Sequence, residues 1–190
     1  MLAPINARQL VMSHLKRFGI GIEVGVHKGD YSALLLNALR PQKLYLVDPW
    51  EHFDGPEYRA AVYGGAVSSP EIMQERYEGV RDRFASEIKA GTVEIVRQRS
   101  GKAAERFEDE SVDFVYVDGD HTKEGVTIDV EAYWPKLKEG GVMAFDDYSL
   151  GGWWKDGVVT AVHAMLASRP CIIILAMDGQ VVVRKIAKAN

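Results

Sequence analysis

At 190 residues, with 47% apolar and 26% charged side chains, the chain has the length and balance of one soluble domain with a full core. Its net charge of −4 carries no block of like charges, which removes the electrostatic case for nucleic acid or an anionic membrane as partner, and no stretch approaches the roughly eighteen apolar residues of a membrane span. One cysteine, Cys171, excludes an internal disulfide framework and suits a reducing compartment; within "CIIILA" it reads as a small buried hydrophobe.

In chain order, residues 1–18 read as a short N-terminal helix. They lack the uninterrupted apolar run and cleavage-site pattern of a secretory leader, so a cytoplasmic protein is expected. "IGIEVG" (20–25) is a short apolar run ending in glycine, a buried strand, and "DYSALLLNAL" (30–39) is a helix with Asp30 or Ser32 near its start as cap. "KLYLVD" (43–48) is a second strand. Residues 52–69, rich in Gly, Ala, Tyr and Ser and without a period, read as a long loop or lid. Ile72, Met73, Tyr77, Val80 and Phe84 give helical spacing over 70–90. A third strand (92–97), a short helix, a fourth strand "SVDFVYVD" (111–118) and a helix over 123–137 follow, then a fifth strand "GGVMAFDD" (140–147) and a helix over 156–168. Two strands close the sequence, joined at Met177-Asp178-Gly179 as a hairpin.

Strict β/α alternation ending in a hairpin predicts an α/β, doubly wound, Rossmann-like single domain over 1–190. Its seven-stranded sheet is expected to be mostly parallel, with a C-terminal antiparallel hairpin. In such sheets ligands bind at the carboxyl ends of the strands, so the strand-end residues are the functional candidates. The first strand ends in Glu23 and Gly25, where glycine lets a ligand approach the backbone. A carboxylate buried there needs a partner: a ligand's ammonium group would serve, and so would local amides or a lysine. Asp48 ends the second strand, where a ribose diol is commonly held. Trp50 packs either on an adenine or on the core, and Trp134 reads as core.

The fourth strand ends at Asp118 and the fifth at Asp146-Asp147. If these strands are neighbours, three carboxylates converge and repel one another, which a hard divalent cation with oxygen ligands would resolve. The alternative is that Asp118 caps a helix while Asp146 and Asp147 shape a turn. His121 is a candidate general base, metal ligand or helix-start residue, and Asp120 a candidate cap. Trp153 and Trp154 either wall an acceptor pocket or pack on the following helix.

Taken together, "EVGVHKG", "LVDPW", "DFVYVDGDH" and "LKEGGVMAFDDY" resemble the class I S-adenosylmethionine-dependent methyltransferases over nearly the whole chain. Within that class the sequence is most similar to small metal-dependent O-methyltransferases of the catechol and macrolide-sugar type. The resemblance implies S-adenosylmethionine as cofactor, its methionine part held at Glu23 and Gly25, its ribose at Asp48 and its adenine near Ser100 and Arg99. Asp118 also borders the cofactor. It further implies Mg²⁺ on Asp118, Asp146 and Asp147. A lysine acts as base in the catechol enzymes three residues past the first Asp; His121 stands at that position here. The implied partner is a small-molecule or sugar acceptor, with a homo-oligomer one possible form. Two other classes fit the same sheet. One is a nicotinamide-dependent oxidoreductase, against which the spacing of Gly25 and Gly29 argues; the other is a non-catalytic cofactor- or partner-binding domain.

Overall fold

A computed structural model describes residues 6–187; the first part of the expected N-terminal helix, residues 1–5, lies outside them. The elements run α1 (Ala7–His14), β1 (Ile20–Val24), α2 (Asp30–Leu39), β2 (Lys43–Val47), α3 (Pro70–Arg83), α4 (Ala85–Lys89), β3 (Val93–Val96) and α5 (Ser100–Ala104). They continue with β4 (Val112–Val117), α6 (Lys123–Tyr133), β5 (Leu137–Phe145), α7 (Gly157–Ser168), β6 (Cys171–Met177) and β7 (Gln180–Lys185).

The strands form one seven-stranded sheet in the order β3-β2-β1-β4-β5-β7-β6. Pairing is parallel from β3 through β5; β6 and β7 pair antiparallel, as the terminal hairpin signal implies, and β7 takes the place between β5 and β6. The sheet is doubly wound. Phe114 and Tyr116 point to the face covered by α1, α2 and α3, while Val115 and Val117 point to the face covered by α5, α6 and α7. Period-two alternation is therefore masked in β4, because both of its faces are buried. Chain order reverses between β1 and β4, so their carboxyl ends flank the crevice that this topology opens for ligands.

Some boundaries depart from expectation for local reasons. The helix expected over 70–90 breaks at Phe84, whose ring anchors in the core while its backbone leaves the helical region (φ −107°, ψ 21°). The helix expected to 137 ends at Tyr133, since Pro135 cannot continue it. β5 starts earlier, at Leu137, and pairing resumes at Val142 after a bulge that includes Gly140 in the left-handed region. The cap of α2 is Gly29 (φ 75°) rather than Asp30 or Ser32; Asp30 instead meets Arg83 at 2.6 Å. α1 is stopped from fraying by a capping box between Asn6 and Gln9. Among the described residues no helix is long and apolar enough to cross a membrane.

Candidate active site

At the end of β1 the chain turns sharply at Gly25 (φ 88°). A Cβ there would lie 2.0 Å from the Asp118 carbonyl oxygen, so only glycine lets β1 and β4 run this close. Glu23, 1% exposed, sits just before the turn, and its Oε2 has no hydrogen-bond partner. Burial pushes its carboxyl up to about 8, with Asp118 and Asp48 adding to the rise and Ser32 and Arg8 opposing it. Asp48, at the end of β2, organises the turn. Its Oδ2 accepts the amides of Val26 (2.8 Å) and His27 (3.0 Å) together with the Tyr63 hydroxyl, and its Oδ1 accepts the Trp50 amide (2.7 Å). Trp50 itself is buried in the core and donates its ring N–H to the His27 carbonyl, which decides between the two readings of that residue.

The ends of β4 and β5 do bring Asp118, Asp146 and Asp147 together. Asp147 adopts a left-handed backbone (φ 55°) beyond the strand, and its Oδ2 lies 2.9 Å from His121 Nδ1, while Asp118 Oδ1 lies 3.3 Å from His121 Nε2. Burial disfavours the imidazolium, but the two flanking carboxylates outweigh it and push His121 up to about 9. On the other side, Arg8 of α1 places Nη2 3.0 Å from Asp118 Oδ2 and in contact with Asp146 Oδ2. The second oxygen of Asp146 accepts from the Gln180 amide, whose carbonyl in turn accepts the Tyr116 hydroxyl at 3.1 Å.

This arrangement lends no support to the expected magnesium site on Asp118, Asp146 and Asp147. Asp118 and Asp146 have both oxygens engaged by groups of the chain itself, and a divalent ion would have to displace the Arg8 guanidinium. Among the described residues no group of three or more His, Cys, Asp or Glu is arranged to hold a metal ion. Asp146, 6% exposed, lies beneath the site rather than on its surface.

Around these strand ends lies a cavity of about 770 Å³ that takes in Glu23, Gly25, Asp48, Ser100, Asp118 and His121. Every expected cofactor-binding position thus faces one space. Ser100 starts α5, its carbonyl fixed by the Tyr133 hydroxyl at 2.9 Å. Arg99, also on the cavity, is held by Glu51 at 2.8 Å and lies over the Phe53 ring. Trp153 stacks on the His121 imidazole (centroids 5.8 Å apart, planes at 20°), and Trp154 meets the same ring edge-on at 5.4 Å. Both therefore wall the cavity beside His121. Three of the groups around this space hold buried polar atoms with no partner: Glu23 Oε2, His27 Nε2 and Trp154 Nε1. Native interiors rarely leave such atoms unsatisfied, so their concentration here points to ligand atoms.

Four contributors carry no sequence signal. The 52–69 segment spans the cavity: Tyr63 reaches Asp48 and Tyr58 donates to Asp120 at 2.8 Å. Arg8 and Gln180 arrive from α1 and β7. Asp120 also accepts the Thr122 amide at 2.9 Å, which shapes the turn ahead of α6; Thr122, not Asp120, is the cap.

The sequence of residues 22–148, more than half of the chain, matches the family model described as a methyltransferase domain. A search of curated proteins finds no sequence match. Among solved structures, the chain is similar to a Corynebacterium glutamicum protein (16% identity, 100% of this chain and 85% of that one, TM-score 0.67). It is also similar to CalS11, a calicheamicin methyltransferase (17%, 94% and 80%, TM-score 0.63). A third similarity is to a Staphylococcus aureus protein proposed to be a caffeoyl-CoA O-methyltransferase (12%, 98% and 86%, TM-score 0.64). At these identities the structures speak for the fold, and the family match carries the assignment, before which the nicotinamide-dependent reading gives way. The chain belongs to the methyltransferase-domain family and is of the class I S-adenosylmethionine-dependent type.

Proposed function

We propose that the chain transfers a methyl group from S-adenosylmethionine to a hydroxyl of a small molecule or sugar bound against His121, Asp147 and Trp153. The observation that carries this is the single cavity joining Glu23 and Asp48 at one end to His121 and its tryptophan wall at the other. The residues present fit the cofactor: a buried carboxylate with an unpartnered oxygen is the complement of an amino-acid ammonium group. Glu23 would hold the methionine part, Asp48 with Tyr63 the ribose end, and Ser100 and Arg99 the adenine end.

When bound, S-adenosylmethionine supplies a methyl group already activated on a sulfonium. The chain's task is then alignment and removal of one proton. Trp153 and Trp154 offer a flat apolar surface against which an acceptor ring can lie. Asp147 and Asp118 hold the imidazole in one orientation, and His121 in its neutral form takes the hydroxyl proton. CalS11 and the Staphylococcus aureus protein are described as methyltransferases, the latter on oxygen, which favours a hydroxyl acceptor without naming it.

The test is incubation with isotopically labelled S-adenosylmethionine and a panel of phenolic and sugar hydroxyls, with products analysed by mass. Formation of a methyl ether that is lost in His121→Asn supports the reading. Transfer confined to nitrogen or carbon acceptors sinks it.

A further inference from the structure

Two of the three carboxylates that the sequence offers to a cation, Asp118 and Asp146, meet at an arginine, while the third, Asp147, faces His121. One nitrogen, Arg8 Nη2, reaches both Asp118 and Asp146, bridging two carboxylates as a small cation would. The arrangement is built rather than incidental. The Arg8 amide is capped by the Asn6 side chain at 2.9 Å, its carbonyl accepts the Tyr31 hydroxyl at 3.2 Å, and its guanidinium lies over the Tyr31 ring at 5.5 Å. An exposed ion pair would carry little weight, but the Asp146 side chain is only 7% exposed and its other oxygen is fixed by Gln180. A guanidinium keeps its charge at any accessible pH, so this cation cannot titrate away.

We propose that Arg8 stands in the place of a divalent cation at the ends of β4 and β5, and that methyl transfer in this protein runs without a metal. Two neighbouring carboxylates repel unless a positive charge lies between them; the chain supplies that charge itself. The consequence rests on the reading of the site as a hydroxyl methyltransferase. With no ion to chelate, the acceptor needs no second oxygen beside the reacting one. A lone hydroxyl, held by His121, Asp147 and the tryptophan wall, is sufficient, and a vicinal diol confers no advantage.

The experiment is a Mn²⁺ titration of the chelator-stripped full chain, followed by the electron paramagnetic resonance signal of the free ion. It reads the cation site without reference to methyl transfer, so its failure and that of the proposed reaction are distinguishable. Wild type is expected to leave the Mn²⁺ signal at its protein-free amplitude. Arg8→Gln, checked for folding by circular dichroism, is expected to take up one equivalent, and Arg8→Gln with Asp118→Asn to lose it again. Uptake of one equivalent by wild type that disappears in Asp118→Asn overturns the proposal, and so does a folded Arg8→Gln that binds none. Should Arg8→Gln prove unfolded, the wild-type titration with its Asp118→Asn control decides alone.

Discussion

Replacing Glu23 by glutamine is the perturbation whose outcome the structure specifies most fully. Unfolded, this carboxyl titrates near 4.5; folded and buried, with Asp118 and Asp48 close by, it holds its proton up to about 8. Between those pH values the native chain keeps a proton that the unfolded chain has released. Stability is therefore highest below about 4.5 and falls as pH rises through about 8. The step from 4.5 to about 8 corresponds to a penalty of at most about 5 kcal/mol for ionising Glu23 in the ligand-free protein at pH 9. Glutamine has the same shape and no charge, so Glu23→Gln is expected to match wild type near pH 4, below the unfolded value of 4.5, and to be more stable at pH 9 by up to that amount. Urea unfolding at the two pH values, with the slope checked for constancy, measures it. Asp129, raised by burial to about 7, and His121, at about 9, impose alkaline losses of the same sign. These are common to both proteins and cancel in the comparison. The variant must also bind the cofactor worse, because the stored cost is the one an ammonium group relieves. In wild type, affinity for S-adenosylhomocysteine should rise up to about tenfold per pH unit between 6 and 8, as the competent ionised fraction grows, and Glu23→Gln should show no such rise. Parallel stability curves for the two proteins, or an unchanged pH slope of binding in the variant, would refute the reasoning.

The other expectations concern separate parts of the cavity. His121→Asn should lower kcat by about 10²–10⁴-fold while leaving S-adenosylhomocysteine affinity within about threefold of wild type. At saturating cofactor, wild-type kcat should climb with pH towards about 9 as the imidazole becomes neutral, and the variant's profile should be flat in that range. Trp153→Ala removes the stack on His121 and the contact with Tyr58; acceptor KM should rise by roughly five- to thirtyfold, for a loss of about 1–2 kcal/mol, with cofactor binding retained. Gly25→Ala forces a Cβ against the Asp118 carbonyl at a positive φ. It should cost ~3 kcal/mol, read as a fall in Tm of roughly 6–12 °C.

The sheet was legible because each strand is a short apolar run between helical segments, and alternation of that kind leaves few topologies. The placing of Glu23, Asp48, Asp118 and Asp147 followed from the same logic, since strand ends on one side of a parallel sheet share one crevice. What could not be read is long-range. Arg8 meets Asp118 across 110 residues of sequence, and whether a particular residue of α1 faces the crevice depends on how that helix docks, which no local pattern encodes. Gln180 reaches Asp146 because β7 inserts beside β5, an ordering that the hairpin signal leaves open. The convergence of Asp118 and Asp146 can be read from the strand ends, whereas the guanidinium of Arg8 that meets both cannot. Tyr58 and Tyr63 lie in a segment without periodicity, where side-chain direction is set by two short 3₁₀ turns, Pro56–Tyr58 and Gly65–Val67, and by a bridge between Phe53 and Gly64.

The central claim is that the crevice between β1 and β4 binds S-adenosylmethionine through Glu23. Thermal unfolding of the full chain with S-adenosylhomocysteine and, separately, with NAD⁺ tests it most directly. At about a hundred times its dissociation constant a ligand adds roughly 2.7 kcal/mol, here a rise in Tm of roughly 5–11 °C. The account predicts that rise with S-adenosylhomocysteine, a much smaller one in Glu23→Gln at the same concentration, and none with NAD⁺. No shift with S-adenosylhomocysteine, or a shift with NAD⁺ in its place, would contradict it.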